Sequence, residues 1–425
     1  MRQADAPCRT ASATVSAPWL SLIGIGEDGR AGLSPHAETL LAQARFIIGG
    51  ARHLALAGPL DAETMVWPSP LADAIPVIEA RRPGPVCVLA SGDPFFYGVG
   101  TLLSRAFAHE DMLCIPAPSA FSLAAARLGW SLQDCRLISL HGRAFERILP
   151  ELQPGAKILC LTWDETTAPR LAETLAARGL GHSSIIVLEA LGGPHERITA
   201  TRAADFSTES FAPGGIHPLN LVALSIEAAP GAMILPLGTG RTEAFFENDG
   251  QITKREIRAP ALAALAPTRG ALLWDIGAGS GSIGLEWMLL DPANKAIAIE
   301  PHEARAARIT RNAQALGVPG LEVVQSAAPE ALATLPQPDA IFIGGGASRP
   351  GVIDTAIAAL PPGGRLVIHA VTLETEAVLF RCFQEHGGDL IRLAVSRAEP
   401  LGTFHAWRQA LPVVQWSWTK PWQTV

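Results

Sequence analysis

Charged side chains are scarce in this sequence, at 17% of residues, while hydrophobic ones reach 48%. That balance excludes a largely disordered chain and leaves ample material for buried cores. An excess of positive charge is also missing, the formal net charge being −7. A nucleic-acid binder sets clustered Lys and Arg against phosphates, so no nucleic-acid partner is expected, while a local basic pocket for a small anion stays open. Cysteines are few and scattered: Cys8, Cys87, Cys114, Cys135, Cys160 and Cys382 form no CxxC pair and no Cys/His set at zinc spacing. Cys87 and Cys160 lie inside apolar runs, so buried free thiols in a reducing, cytoplasmic setting are expected, and no metal site. No apolar run is long enough to span a bilayer, so no membrane association is expected. The first 18 residues lack a continuous apolar h-region and read as a frayed tail rather than a signal peptide. The GxSxG, HExxH and Walker patterns are absent as working motifs.

What is present is layered α/β patterning over 425 residues, a length that suits two domains of about 200 residues each. Short β-branched runs predict strands at residues 19–26, 44–50, 85–92, 112–118, 157–163, 184–190 and 219–227. Helices are predicted between them, among others over Pro35–Ala44, Ala120–Arg127 and Ala168–Arg178. Pro230, Gly231, Pro236, Gly238 and Gly240 crowd turn formers into one stretch, which sets domains at 18–228 and 240–425 with a junction at 229–239. Beyond it the pattern restarts with a helix over Arg255–Ala266 and strands at 271–277, 296–300, 321–325, 340–345 and 365–371. From Leu390 to Trp418 two longer strands around Gly402 read as a hairpin closing the sheet edge. No repeat links the halves.

In the second half, Asp275 ends a strand, Gly277, Gly279 and Gly281 follow at alternate positions, and a helix begins at once. Glycines there allow dihedrals closed to other residues and let the chain approach a ligand closely. At the carboxyl end of the first strand of an open sheet, such a loop is where a nucleotide-like ligand sits. Glu300 ends the next strand, where a carboxylate can accept both hydroxyls of a ribose. The Gly-x-Gly-x-x-Gly spacing of a dinucleotide loop is met only out of register, by Gly279, Gly281 and Gly284, which weakens a nicotinamide dehydrogenase reading. The pattern resembles motif I of class I methyltransferases, and the string DGQITKREIRAPALAAL before it is similar to the start of the cobalamin-pathway precorrin methyltransferase/decarboxylase domain. That resemblance implies S-adenosylmethionine contacts at Thr253, Gly277, Ala278, Gly279, Ser280, Gly281, Glu300, Ala327 and Ala328. Where the family has Gly-Asp-Ala, this chain has Ser326-Ala327-Ala328, so a contact to adenine there falls to the backbone.

Three strings of the first half belong together: LIGIGEDGRAGLS, LASGDPFFYGVG and IPAPSAFSLAAARLG. Each puts small residues, Gly or Pro at a strand end, where loops line a cleft. In this order they resemble the tetrapyrrole methylase family (class III methyltransferases), with Ser91-Gly92-Asp93-Pro94 the most specific motif. The resemblance implies a two-lobed α/β fold with a cofactor held between the lobes by Ser91, Gly92, Asp93, Phe96, Ser119, Ala120 and Thr162. It also implies that Gly24 to Gly26 face the substrate. Glu27-Asp28 stands where the family has Pro-Gly, which leaves that loop without a transferred cofactor role.

The expected fold is thus a two-lobed tetrapyrrole methylase domain followed by a Rossmann-like class I methyltransferase domain, with one S-adenosylmethionine in each. Their order resembles the fused, decarboxylating enzymes of cobalamin synthesis. By that resemblance the first domain methylates C5 of a polycarboxylate tetrapyrrole, and the second methylates C15 and removes CO₂ from the C12 acetate. A homo-oligomer is expected on the same ground. Arg241, Lys254, Arg255 and Arg258 are candidates for binding substrate carboxylates, each read first as solvated helix-face charge. No acid or base stands out as catalytic: His302 and His369 are read as structural, and Gly344-Gly345-Gly346 as substrate-binding or a tight turn. An RNA methyltransferase is disfavoured by the acidic balance, and a non-catalytic cofactor sensor by two intact loops in one chain.

Overall fold

A computed structural model describes residues 18–211 and 214–422; the N-terminal tail expected above lies outside the described residues, apart from Pro18. The chain divides into two compact units. One holds the described residues up to Gly142 together with Pro154–Ala232, the other Arg143–Gln153 together with the residues from Met233 onward.

The first unit is built on two sheets. Its first has strands β1 (Leu20–Ile25), β2 (Phe46–Gly49), β3 (Glu63–Val66), β4 (Val86–Ser91) and β5 (Met112–Ile115), in the order β3-β2-β4-β1-β5 and parallel throughout. The central strands read as unbroken apolar runs because both faces are covered, and every residue of β1 is buried. The helix Pro35–Gln43 starts at Ser34, whose hydroxyl accepts from Ala37 N at 3.2 Å, with proline in its first turn. The second sheet holds β6 (Cys135–Ser139), β7 (Lys157–Leu161), β8 (Ser184–Glu189), β9 (Arg197–Arg202) and β10 (Asn220–Ser225) in the order β6-β7-β10-β8-β9. The pattern missed β3, β6 and β9, all at sheet edges, where exposed positions break the apolar signal.

The second unit carries seven strands in its main sheet: β11 (Leu272–Ile276), β12 (Lys295–Ile299), β13 (Glu322–Val324), β14 (Ala340–Ile343), β15 (Arg365–Ala370), β16 (Asp389–Leu393) and β19 (Val413–Thr419). Their order is β13-β12-β11-β14-β15-β19-β16, with β19 antiparallel to both neighbours. The chain leaves β11 for β12 on one side and returns to β14 on the other, which opens a crevice at the carboxyl end of β11.

The expected closing hairpin is corrected here. The end of the chain forms four strands, and the pair around Gly402, β17 (Ser396–Leu401) and β18 (Phe404–Gln409), makes a separate two-stranded ribbon. Every residue of β18 is exposed, whereas Val414, Trp416 and Trp418 of β19 are buried. The main sheet therefore takes the strand with more apolar area to cover and leaves the ribbon outside it.

Candidate active sites

In the first unit, close backbone approach gathers the motif residues. A Cβ on Gly24 would lie 1.9 Å from Gly92 O and 2.4 Å from Ala117 N, so only glycine lets the loops after β1, β4 and β5 meet. Gly92 O accepts from Ala117 N at 3.0 Å, and Gly92 itself turns at φ +53 against Pro118 and Ser119. This joins Ser91, Gly92 and Asp93 to Ser119 and Ala120. Ser119 caps the helix Ala120–Leu128 by accepting from Ser122 N at 3.1 Å. Asp93 folds its own loop by accepting from Phe95 N at 2.9 Å, and the Phe96 ring packs on buried Phe121 at 5.1 Å. Thr162 directly follows β7 of the second sheet. Its side chain is buried and donates to Asn220 O at 2.7 Å, so its hydroxyl proton is committed to the fold.

The second unit shows the same economy with different parts. Gly277 N donates to Ile299 O at 2.9 Å and Gly279 N to Glu300 Oε2 at 2.9 Å, so the glycine loop is laid across the end of β12. The other oxygen of Glu300 accepts from His302 N at 3.0 Å; the carboxylate is 2% exposed and keeps further lone pairs. A Cβ on Gly277 would sit 2.8 Å from Gly345 N and O, which gives the triple glycine a reason: two loop backbones pass in contact. Ala327 and Ala328 form the turn after β13, whose Val324 O accepts from Glu300 N at 3.1 Å. Gln251 O lies 3.4 Å from the place a Gly279 Cβ would take, so the segment leading to Thr253 crosses over the loop.

Two features hold that segment. Buried Asn312 accepts from Glu247 N at 2.8 Å and donates to Glu247 O at 2.9 Å and Ser280 O at 3.0 Å. Buried Glu286 accepts from Gly240 N at 2.7 Å, Arg241 N at 2.8 Å and Arg258 Nε at 3.0 Å. Arg258 in turn donates to the carbonyls of Thr253 and Arg241. The solvated reading of two arginines is thereby overturned: Arg258 is 0% and Arg241 4% exposed, both drawn inward by Glu286. Lys254 and Arg255 are exposed, as read. Sequence reasoning missed Asn312 and Glu286. A signal existed for Glu286, a lone charge in the apolar run SIGLEWMLL, and for Arg258, which shares the buried face of its helix with Ala261, Leu262 and Leu265.

Two buried groups of the second unit are strongly perturbed. Burial pushes the Asp275 carboxyl up to about 7, although it accepts from Gly284 N at 2.9 Å. Burial also pushes His369 down to about 4; its Nε2 meets Gln415 Oε1 at 3.0 Å and its ring lies edge-on to Phe342, a core role. His302 is exposed. The crevice at β11 suits an adenosyl cofactor: the Ser280 hydroxyl is 1% exposed and has no hydrogen-bond partner among the described residues, an orphan beside the glycine loop.

A tetrapyrrole (corrin/porphyrin) methylase family model matches residues 20–207, and a precorrin methyltransferase domain model matches residues 244–420. The chain is 56% identical over 407 residues to a precorrin-6Y C(5,15)-methyltransferase [decarboxylating] of Sinorhizobium sp, covering 96% of this chain and 97% of that protein. It is 39% identical to the protein of that name from Mycobacterium tuberculosis, over 94% of this chain and 99% of the other. A crystal structure of the C-terminal domain of precorrin-6Y C5,15-methyltransferase from Rhodobacter capsulatus is 47% identical and covers 44% of this chain and 100% of its own, with a TM-score of 0.42. The chain belongs to the family of decarboxylating precorrin-6Y C5,15-methyltransferases.

Proposed function

We propose that this chain methylates a precorrin at C5 and C15 and decarboxylates its C12 acetate arm in cobalamin synthesis, using one S-adenosylmethionine in each domain. The domains are taken as 18–228 and 240–425, with 229–239 between them. C5 methylation is assigned to the first, and C15 methylation with decarboxylation to the second. The observation that supports the reading is a cluster of strand-end loops in each unit, around Gly24, Gly92 and Ala117 in the first and Gly279 and Glu300 in the second, in a chain of this family.

S-adenosylmethionine supplies an electrophilic methyl group on a sulfonium. In the second domain, Gly277, Ala278, Gly279, Ser280 and Gly281 bring backbone amides and the orphan Ser280 hydroxyl to the crevice, and Glu300 takes the ribose. Thr253, Ala327 and Ala328 flank the adenine side. In the first domain Gly92, Asp93, Ser119, Ala120 and the main chain at Ser91 and Thr162 form the seat, with Phe96 as an apolar wall. Methyl transfer to a nucleophilic ring carbon needs in-line approach and exclusion of water, so positioning carries much of the catalysis. The conjugated macrocycle serves as the electron sink for loss of CO₂.

A homo-oligomer belongs to the same reading. The β17–β18 ribbon exposes Leu401, Phe404 and Trp407 at 65%, 76% and 77%, and a lone two-stranded ribbon is marginal in water. Free cysteines at Cys87, Cys114, Cys135, Cys160 and Cys382 support a reducing, cytoplasmic setting. No helix among the described residues is long and apolar enough to cross a membrane.

The test incubates purified protein with precorrin-6Y and methyl-labelled S-adenosylmethionine and follows product mass and CO₂. Two methyl additions with loss of one CO₂ are expected, and cofactor binding without transfer to any corrinoid precursor would refute the reading.

A further inference from the structure

The first unit carries a polar cluster beside its motif loops that the cofactor seat leaves unused. Glu27 lies two residues past β1, Arg52 and His53 sit in the short helix after β2, and Ser91 is the last residue of β4. These strands lie side by side in the order β2-β4-β1, so the four side chains converge at one carboxyl edge, where open α/β sheets take their ligands. Arg52 Nη2 donates to Ser91 Oγ at 2.7 Å, and His53 Nε2 lies 2.7 Å from the same oxygen. The other terminal nitrogen of Arg52 pairs with Glu27. Gly50 N donates to His53 Nδ1 at 3.4 Å, which places the ring proton on Nε2. Two of the three hydrogen-bonding capacities of the Ser91 hydroxyl, both acceptor sites, are therefore spent inside the cluster, and the third is its O–H. The third is left over on an exposed residue.

The chemistry that this edge accepts follows from its charges. Burial, and then the neighbouring Arg52, push His53 down to about 4, so its ring is neutral near pH 7. Arg52 then supplies the positive charge of the cluster. Its side chain is 38% exposed while that of Glu27 is 18% exposed, so the guanidinium reaches solvent over a sheltered counter-ion. A planar guanidinium fork beside a hydroxyl matches a carboxylate. The backbone at Gly92 is meanwhile tied to Ala117, so the side chain of Ser91 and the main chain after it serve different neighbours.

We infer that Arg52, His53 and Ser91 form a seat for a carboxylate arm of the macrocycle, with Glu27 holding the guanidinium until that arm arrives. The inference rests on the reading of this unit as the C5 methylase, and it moves the Ser91 side chain from the cofactor to the substrate.

The experiment uses the full chain with ¹³C-methyl S-adenosylmethionine, resolving C5 from C15 methylation by NMR. An unchanged KM for S-adenosylmethionine at C5 reports that the mutated unit is folded, and C15 methylation in the same tube reports only on the second unit. Arg52→Gln and Ser91→Ala should each raise the KM for the macrocycle at C5 roughly tenfold or more, the loss expected for one charge-assisted hydrogen bond, with the KM for S-adenosylmethionine within about twofold. Glu27→Gln should lower the macrocycle KM, because a competing anion is gone. Arg52→Lys, which keeps the charge and loses the fork, should fall between wild type and Arg52→Gln. A purely structural ion pair would make Glu27→Gln and Arg52→Gln fail alike, with kcat and both KM values moving together, and that would overturn the seat. So would a Ser91→Ala enzyme that weakens only S-adenosylmethionine. A wild-type chain that methylates C15 and never C5 brings down the functional reading of this unit, and the seat with it.

Discussion

Replacing Asp275 by asparagine should make the second unit more stable at pH 8, with the advantage shrinking as pH falls and vanishing below about pH 4. Asp275 is 1% exposed at the end of β11, and burial raises its carboxyl from 3.8 to about 7. Below about pH 4 the carboxyl is protonated in the folded and unfolded chain alike, and pH has no leverage through it. Between about 4 and 7 the folded chain keeps a proton that the unfolded chain has lost, so stability falls as pH rises through that window. Above that window the full cost is present. A difference of roughly three pH units corresponds to about 4 kcal/mol. The Asp275→Asn side chain would keep the acceptor for Gly284 N, held at 2.9 Å in the wild type, and would never ionise. Its amide hydrogens replace the proton that the acid carries in the folded chain, so the two proteins should match below about pH 4, where the unfolded acid is protonated too. Urea unfolding read by hydrogen exchange at Leu272–Ile276 isolates this unit from the other, and other titrating groups cancel in the difference. Parallel pH profiles for wild type and variant between pH 5 and 8 would refute the argument. A variant that loses ground as pH rises would reverse it, making the ionised carboxylate a stabilising group.

Three further outcomes follow from the packing. Arg258→Met leaves buried Glu286 with only Arg241, 4.0 Å away, as a charge partner and should cost about 3 kcal/mol in urea unfolding, while adding Glu286→Gln should recover part of it. Gly24→Ala drives a methyl group into Gly92 O and should abolish C5 methylation, with C15 methylation intact in the same assay. Asn312→Ala cuts three bonds joining Glu247 to the glycine loop and should raise the KM for S-adenosylmethionine at the C15 site about tenfold, with C5 kinetics unmoved.

Much of the fold was legible because the central strands are covered on both faces. The runs at β1, β4, β11 and β15 are mostly buried along their length, and the glycines that follow β11 mark its crevice. Edge strands hid because their signal is cross-strand: Arg197 of β9 is placed by its 2.5 Å pair with Glu189 of β8, which no local window reveals. The late strands misled for a similar reason. Both Phe404–Gln409 and Val413–Thr419 carry aromatic residues, and only the competition for one slot beside β15 separates them. Of the candidate site residues, Gly92, Ser119, Gly279 and Glu300 could be assigned to strand-end loops from their motifs. Arg52, His53 and Glu27 could not be grouped, as their meeting depends on β2, β4 and β1 being neighbours, a fact of topology spread along the chain from Glu27 to Ser91.

The place of β19 between β15 and β16 also dictates an order of events during synthesis. Among the described residues the sole sheet neighbour of β16 is β19, yet Asp389–Leu393 leaves the ribosome before Val413–Thr419 does. Until the later segment exists, β15 presents an open edge, β16 has nowhere to dock, and the apolar ribbon between them hangs free. Assembly of this unit therefore cannot follow the emerging chain, and a translational pause between residues 393 and 413 would hold the nascent protein in its stickiest state.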